Sequence, residues 1–205
     1  MSAAPLAGRI AVIGWGSLIW DLDDLAPKVD GRWLMGAGPR LPFEFSRISP
    51  KRKLALAVCL DPDNGDACAT NAIVSRRRSM EEAVEDLRAR ERAPAAAMIG
   101  AATAAGPLRA RLPEVGEALA AWCRATGAAG AVWTDLESNF EERTGGAFSV
   151  RRGVDYLRTL GGESLDEAVA YLENAPAATM TPLRRALAAD PWWIAAAGAR
   201  RHTEN

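Results

Sequence analysis

The sequence predicts an α+β fold, and three observations predict it. Short apolar runs bounded by turn residues fill the first half of the 205 residues. Capped helical patterns fill the last third, and strands and helices do not alternate as βαβ units. Neither an internal repeat nor a low-complexity linker divides the chain. The expectation is one domain over residues 1–205, with 149–205 as a helical C-terminal appendage on the same core.

The elements follow in order. Arg9 to Ile13 is a short β-branched run leading into Gly14-Trp15-Gly16-Ser17, a buried first strand and a tight turn. Leu41 to Arg47 reads as extended. Leu54 to Leu60 and Ala67 to Val74 flank Asp61-Pro62-Asp63-Asn64-Gly65-Asp66, which predicts an antiparallel hairpin. Ser79-Met80-Glu81-Glu82 is a capping box that opens a helix running to about Arg92, with Pro94 as its stop. A second helix is expected over Pro113 to Thr126, ending at Gly127, then a strand over Ala131 to Leu136 and a polar loop from Glu137 to Phe148. Beyond it, Ser149 caps one helix, Ser164 with Glu167 makes a second capping box, and Thr181-Pro182 opens a third helix.

Composition narrows the chemistry. The chain is 49% hydrophobic and 25% charged, with 25 Lys+Arg against 26 Asp+Glu and a net charge of -1. That balance gives no electrostatic case for a nucleic-acid or anionic-membrane partner. The N-terminal segment does not read as a signal peptide. The longest candidate span, Ala93 to Gly106, is interrupted by Pro94, Gly100 and Thr103. A cytoplasmic protein is therefore expected. Cys59, Cys68 and Cys123 make neither a disulfide framework nor a CxxC pair. The one histidine, His202, lies in a polar tail, which argues against a His-based metal site, a Ser-His-Asp triad or a Cys-His pair. Carboxylates, hydroxyls and backbone dipoles remain.

Two features carry chemistry. At about 100° per residue, Met80, Val84 and Leu87 share one stripe of the first helix, and Glu91 continues it. A carboxylate on an apolar stripe is partly desolvated, which suits it to proton transfer. As a base Glu91 is expected to make no tight ion pair with Arg88 or Arg90, while Glu81, Glu82, Glu85 and Asp86 mostly lie off the stripe and can be solvated. The alternative is that Glu91 reaches solvent at the helix end or pairs with Arg88 or Arg90. The second feature is Gly14-Trp15-Gly16-Ser17-Leu18 after a strand, where successive backbone N–H groups can converge on an anion. It is not a dinucleotide fingerprint, because Ile19 holds the place of the third glycine. Its alternative is a plain structural turn.

Ile13-Gly14-Trp15-Gly16-Ser17-Leu18-Ile19-Trp20 resembles the strand-plus-loop signature of the γ-glutamylcyclotransferase-like family, in its glutathione-degrading branch. Phe45-Ser46-Arg47 with Ser49 resembles that branch's Arg/Ser segment. Leu87-Arg88-Ala89-Arg90-Glu91 resembles the ending that carries the family's acid/base glutamate. The resemblance covers residues 10–92. It implies a small bent or barrel-like mixed β-sheet with surrounding helices. It implies Glu91 as the catalytic residue, with Trp15, Gly16, Ser17, Leu18 and Arg47 binding substrate. The reaction would convert a small γ-glutamyl compound to 5-oxoproline with release of an amine. Because ring closure is intramolecular, neither cofactor nor metal is called for. Two departures bear on the substrate. Trp15 stands where the family has Tyr, and Arg92-Ala93-Pro94-Ala95 replaces a Gly-Gly-Tyr stretch. A non-catalytic module of the same fold, binding an acidic metabolite or a protein, is the alternative. A nucleotide-binding oxidoreductase is a weaker one.

The remaining features have bland readings. Cys59 and Cys68 are expected to be packed thiols. Asp135, Glu137, Glu141 and Glu142 could ligate a hard cation, but a solvated polar loop is the better expectation. Trp192-Trp193 reads as core packing or a cap on the last helix, with an exposed binding patch as the alternative.

Overall fold

A computed structural model describes residues 5–203, with side chains described through residue 200. In chain order the strands are β1 (Ile10–Gly14), β2 (Val29–Leu34), β3 (Arg40–Ser49), β4 (Ala55–Leu60), β5 (Asp66–Ala69), β6 (Asn71–Ser75), β7 (Ile99–Thr103), β8 (Gly106–Arg109) and β9 (Gly130–Thr134). The helices are α1 (Met80–Glu91), α2 (Pro113–Thr126), α3 (Phe140–Thr144), α4 (Val150–Thr159), α5 (Gly162–Asn174), α6 (Pro182–Ala188) and α7 (Pro191–Thr203). The protein is thus α+β with a mixed sheet. It divides into two compact units, residues 1–41 with 69–136, and residues 42–68 with 137–205. The expected appendage, 149–205, shares the second unit with strands from 42–68.

The first unit is built on a six-stranded sheet in the order β2-β6-β1-β9-β7-β8. Its neighbours pair antiparallel except β1 and β9, which run parallel with Ile10 opposite Gly130 and Ile13 opposite Trp133. All five residues of β1 are buried, so both faces of the strand are covered, which is why it reads as an unbroken apolar run. Ile10 and Val12 of β1 join Ile73, Ile99, Ala101 and Val132 in a core closed by Ala83, Val84 and Leu87 of α1. Leu87 is fully buried there, and truncating such a leucine to alanine costs about 2–5 kcal/mol. The α1 start is capped as expected, since the Ser79 Oγ accepts the Glu82 N–H at 3.2 Å. Its end falls at Glu91 because Arg92 takes a left-handed conformation and turns its N–H back to the Ala89 carbonyl.

The second unit holds the three-stranded sheet β4-β3-β5. The expected hairpin between 54–60 and 67–74 does not form. The long strand β3 lies between β4 and β5, and the second apolar run breaks at Thr70, so that β6 pairs with β1 and β2 instead. The turn explains the crossing. The Asp61 side chain accepts the Asn64 N–H at 3.1 Å and the Asp61 carbonyl accepts the Gly65 N–H at 2.9 Å. Gly65 then lies directly against the Phe43 carbonyl, so the chain passes over the start of β3 to its other edge. Cys59 and Cys68 are unbridged and buried in this unit, and α4 and α5 pack on β4.

Two of the three C-terminal caps are where the sequence puts them. Ser149 accepts the Arg152 N–H, and Thr181 accepts the Arg184 N–H with Pro182 at the first helical position. The Ser164/Glu167 box does not form. Helix α5 starts after Gly161, and Glu167 pairs with Arg52 at 3.2 Å. A further helix, α7, is capped by Asp190, whose carboxylate accepts the N–H groups of Trp192 and Trp193. Trp193 is buried, while the Arg158 guanidinium lies over the Trp192 ring. The His202 side chain lies outside the described residues. No helix among the described residues is long and apolar enough to cross a membrane.

Candidate functional site

The glycine loop leaves β1 at Gly14, continues through an extended Trp15 and closes as one 3-10 turn over Gly16–Ile19. Gly16 has φ of 53°, a left-handed value that a side chain disfavours. The Ser17 carbonyl ends the turn by accepting the N–H groups of Trp20 and Asp21. Asn71 braces the loop from β6: its amide donates to the Gly14 carbonyl at 3.3 Å and its carbonyl accepts the Gly36 N–H at 2.9 Å. The Trp33 ring lies over Gly14. Trp15 is buried, and Leu18 points into the core beside Val84 and Leu87. Any contribution of Leu18 to binding is therefore through its backbone.

Glu91 stands at the other end of the construction, as the last residue of α1. It was expected without a tight ion pair, and the structure corrects this. The Arg90 Nη1 donates to Glu91 Oε1 at 3.0 Å. The reason is a matter of helical phase. The buried face of α1 carries Ala83, Val84, Asp86, Leu87 and Arg90, so its middle lies nearer Arg90 than Glu91. The Arg90 side chain is 1% exposed and that of Glu91 is 16% exposed. A buried guanidinium requires acceptors, and Arg90 finds them in the loop: the Asp21 carbonyl, the Ser17 Oγ at 3.4 Å, and the Asp21 carboxylate at 4.0 Å. Arg88 is occupied elsewhere, by Glu85 and the Ala93 carbonyl.

One buried cation thus holds both the glycine loop and Glu91. The second carboxylate oxygen, Oε2, has no hydrogen-bond partner among the described residues. Asp86 is a second correction, because it was read as solvated and is buried. Burial pushes its carboxyl up, and Arg77 together with Lys28 more than offsets that, leaving it below its ordinary value.

Sequence reasoning missed a third group of residues. Trp133 is opposite Ile13 in parallel strands, so Thr134 and Asp135 follow at the same end of the sheet as Gly14 and Trp15. Asp135 is buried rather than part of a solvated loop. Its Oδ2 accepts the Arg111 N–H at 2.6 Å, while its Oδ1, the Thr134 Oγ1 and the indole nitrogens of Trp33 and Trp133 are buried with no hydrogen-bond partner among the described residues. The available signal was Thr-Asp at the C-terminal end of a central parallel strand, where α/β sheets often place polar residues for ligands.

Arg47 belongs to the second unit, where its guanidinium donates to the Glu137 carbonyl at 2.6 Å. Its neighbours Ser46 and Glu44 are buried: Ser46 donates to Asp61 at 2.6 Å, and Glu44 accepts the N–H groups of Phe45 and Leu183. Among the described residues no three His, Cys, Asp or Glu side chains converge as a metal site would require. Comparison of the chain with protein-family models, with curated proteins and with solved structures found no match to any of them.

Proposed function

We propose that this chain is a γ-glutamylcyclotransferase-like enzyme of the cytoplasm, with that family's bent-sheet fold, acting on a small γ-glutamyl compound. The observation that carries the reading is that Arg90 touches both Ser17 and Glu91. A loop suited to an anion and a carboxylate suited to a proton therefore lie within the span of one guanidinium. In the proposed reaction the backbone N–H groups of Gly16 to Leu18 receive the substrate's α-carboxylate. Glu91, oriented through Oε1, takes a proton from the α-ammonium through Oε2. The freed amine attacks the γ-carbonyl of the same molecule, the γ-amide C–N bond breaks, and Glu91 returns the proton to the leaving nitrogen. The products are 5-oxoproline and an amine, and holding both ends of the substrate supplies the proximity that ring closure needs.

The test is incubation with a panel of γ-glutamyl amino acids and peptides, glutathione included, with 5-oxoproline as the readout. Glu91→Gln keeps the shape and removes the proton acceptor, so turnover should fall by about 10²–10⁴-fold with substrate binding retained. No 5-oxoproline from any compound would overturn the proposal. Undiminished turnover in Glu91→Gln would remove Glu91 from it. The Arg90–Glu91 pair itself favours a second reading, in which Glu91 is part of a brace and the domain binds an acidic metabolite without turning it over. Saturable binding with no product would select that reading.

A further inference from the structure

The opposite end of β1 carries a different feature. A cavity of about 590 Å³ opens beside Ile10, on a floor that includes Gly8 and Ala129, with Arg9, Arg76, Arg77 and Arg78 around it. The floor is fixed by backbone hydrogen bonds: the Gly8 N–H donates to Gly127 and the Ala129 N–H to Arg9. The arginine run is fixed too, since the Arg76 N–H donates to the Lys28 carbonyl and the Arg77 N–H to the Ser75 Oγ. The cleft belongs wholly to the first unit.

The charges around it do not balance. Arg77 is engaged, with two hydrogen bonds to Asp86 at 2.6 and 3.1 Å and Glu82 at 3.8 Å. Arg9 and Arg76 share one carboxylate, Asp30, at 3.6 and 4.0 Å, and their side chains are 44% and 60% exposed. Pairs this long and this wet hold little. Arg78 is exposed and makes no hydrogen bond or ion pair among the described residues. Arg9, Arg76 and Arg78 therefore line one cavity, with a single carboxylate paired to two of them.

We infer that this cleft is a binding site for a small anion bearing two or more phosphate charges, as in a pyrophosphate or a phosphate ester of that size. Planar guanidinium forks match phosphate oxygens in pairs, which suits arginine to phosphate better than lysine. The volume lies within the roughly 300–1,000 Å³ of small-molecule sites. A long polyanion fits poorly, because exposed Asp30, Glu81 and Glu82 stand nearby and the chain as a whole carries a net charge of -1. The site is independent of the reading of Glu91.

The probe is inorganic pyrophosphate, titrated calorimetrically into the full chain at low ionic strength, with inorganic phosphate and a short DNA duplex as comparisons. The expected result is saturable binding of one pyrophosphate per chain, tighter than single phosphate and tighter than the duplex. Arg78→Ala, which removes no hydrogen bond or ion pair among the described residues, should weaken it about tenfold, the scale of one charge-assisted hydrogen bond. Arg76→Ala should do the same, and Glu91→Gln should leave it unchanged. Absence of saturable binding, equal affinity in Arg78→Ala and the parent, or preference for the duplex would each overturn the inference.

Discussion

Arg90→Met is the perturbation that tests the brace between the glycine loop and Glu91. Methionine keeps most of the buried volume and the helix propensity, and removes only the guanidinium. The loss comprises the hydrogen bonds to Glu91, to the Ser17 Oγ and to the Asp21 carbonyl. Hydrogen bonds to a charged group contribute about 1.5–3 kcal/mol each, and removing one partner of a fully buried pair costs about 3–5 kcal/mol. Glu91 is 16% exposed and Asp21 43% exposed, so water recovers part of the loss. The net expectation is a destabilisation of about 2–4 kcal/mol. Urea unfolding measures it as a lower midpoint at unchanged slope. Amide exchange adds a local readout, with residues 16–22 losing more protection than α2. Combining Arg90→Met with Glu91→Gln should recover about 1–2 kcal/mol, because the orphaned carboxylate goes as well. A change within about 0.5 kcal/mol of the parent, the range of ordinary surface substitutions, would refute the claim that this cation holds the loop.

Three further outcomes are expected. Gly16→Val places a β-branched residue at φ of 53°, costing at least about 1–2 kcal/mol and, under the proposed function, abolishing substrate binding; an unchanged melting temperature would show that the loop relaxes freely. Burial pushes the Glu44 carboxyl above its ordinary value of 4.5, against the opposing bonds from Thr181, Phe45 and Leu183. The folded state then holds that proton more tightly than the unfolded chain. The contribution of Glu44 is full below 4.5 and is lost as the pH rises through the raised folded value. Melts between about pH 4 and pH 7 should show Glu44→Gln gaining on the parent as the pH rises, and a difference that shrinks instead would reverse the sign. Finally, burial pushes the Cys59 thiol up to about 11, so a thiol reagent near pH 8 should reach it only at the rate of unfolding, and prompt labelling of native protein would contradict its burial.

What the sequence made legible was local. Ser79, Ser149 and Thr181-Pro182 fix helix starts through their own hydroxyls and ring, and Gly127 fixes a helix end, so those boundaries needed no tertiary knowledge. The unbroken apolar run of β1 announced a buried strand. Strand β7 did not announce itself, because Ile-Gly-Ala-Ala-Thr has β-branched residues only at its two ends, no aromatic residue, and a Gly-Ala-Ala middle of low strand propensity. It is a strand because it completes the hydrogen bonds of β9, with Gly100 opposite Trp133. Strand β2 is an edge whose Asp-Gly-Arg middle is exposed, so it shows neither an apolar run nor a clean alternation. The pairing of 54–60 was missed for the opposite reason. Two adjacent strands with a good turn between them form a hairpin only if no third strand competes, and β3 does compete, with Leu41, Phe43, Phe45 and Ile48 buried along its ten residues.

The candidate site shows the same limit at a finer scale. A stripe through Met80, Val84 and Leu87 leads to Glu91, but the buried face of α1 is broader than a stripe, and its middle passes through Arg90. Periodicity tells which turn of the helix a residue occupies and only roughly which way it points. The stripe therefore leads to Glu91, and Arg90, named only as its possible partner, proves to be the cation on which the local geometry turns. That cation changes what Glu91 is. A carboxylate alone at a helix end would be mobile; one held through Oε1 by a guanidinium that is itself fixed to Ser17 and Asp21 aims its other oxygen in a set direction. Proton transfer depends on such fixed direction, and so does a brace. The two readings consequently share every contact of Arg90 and differ only in whether Oε2 meets a substrate proton, a distinction that turnover can reveal and stability cannot.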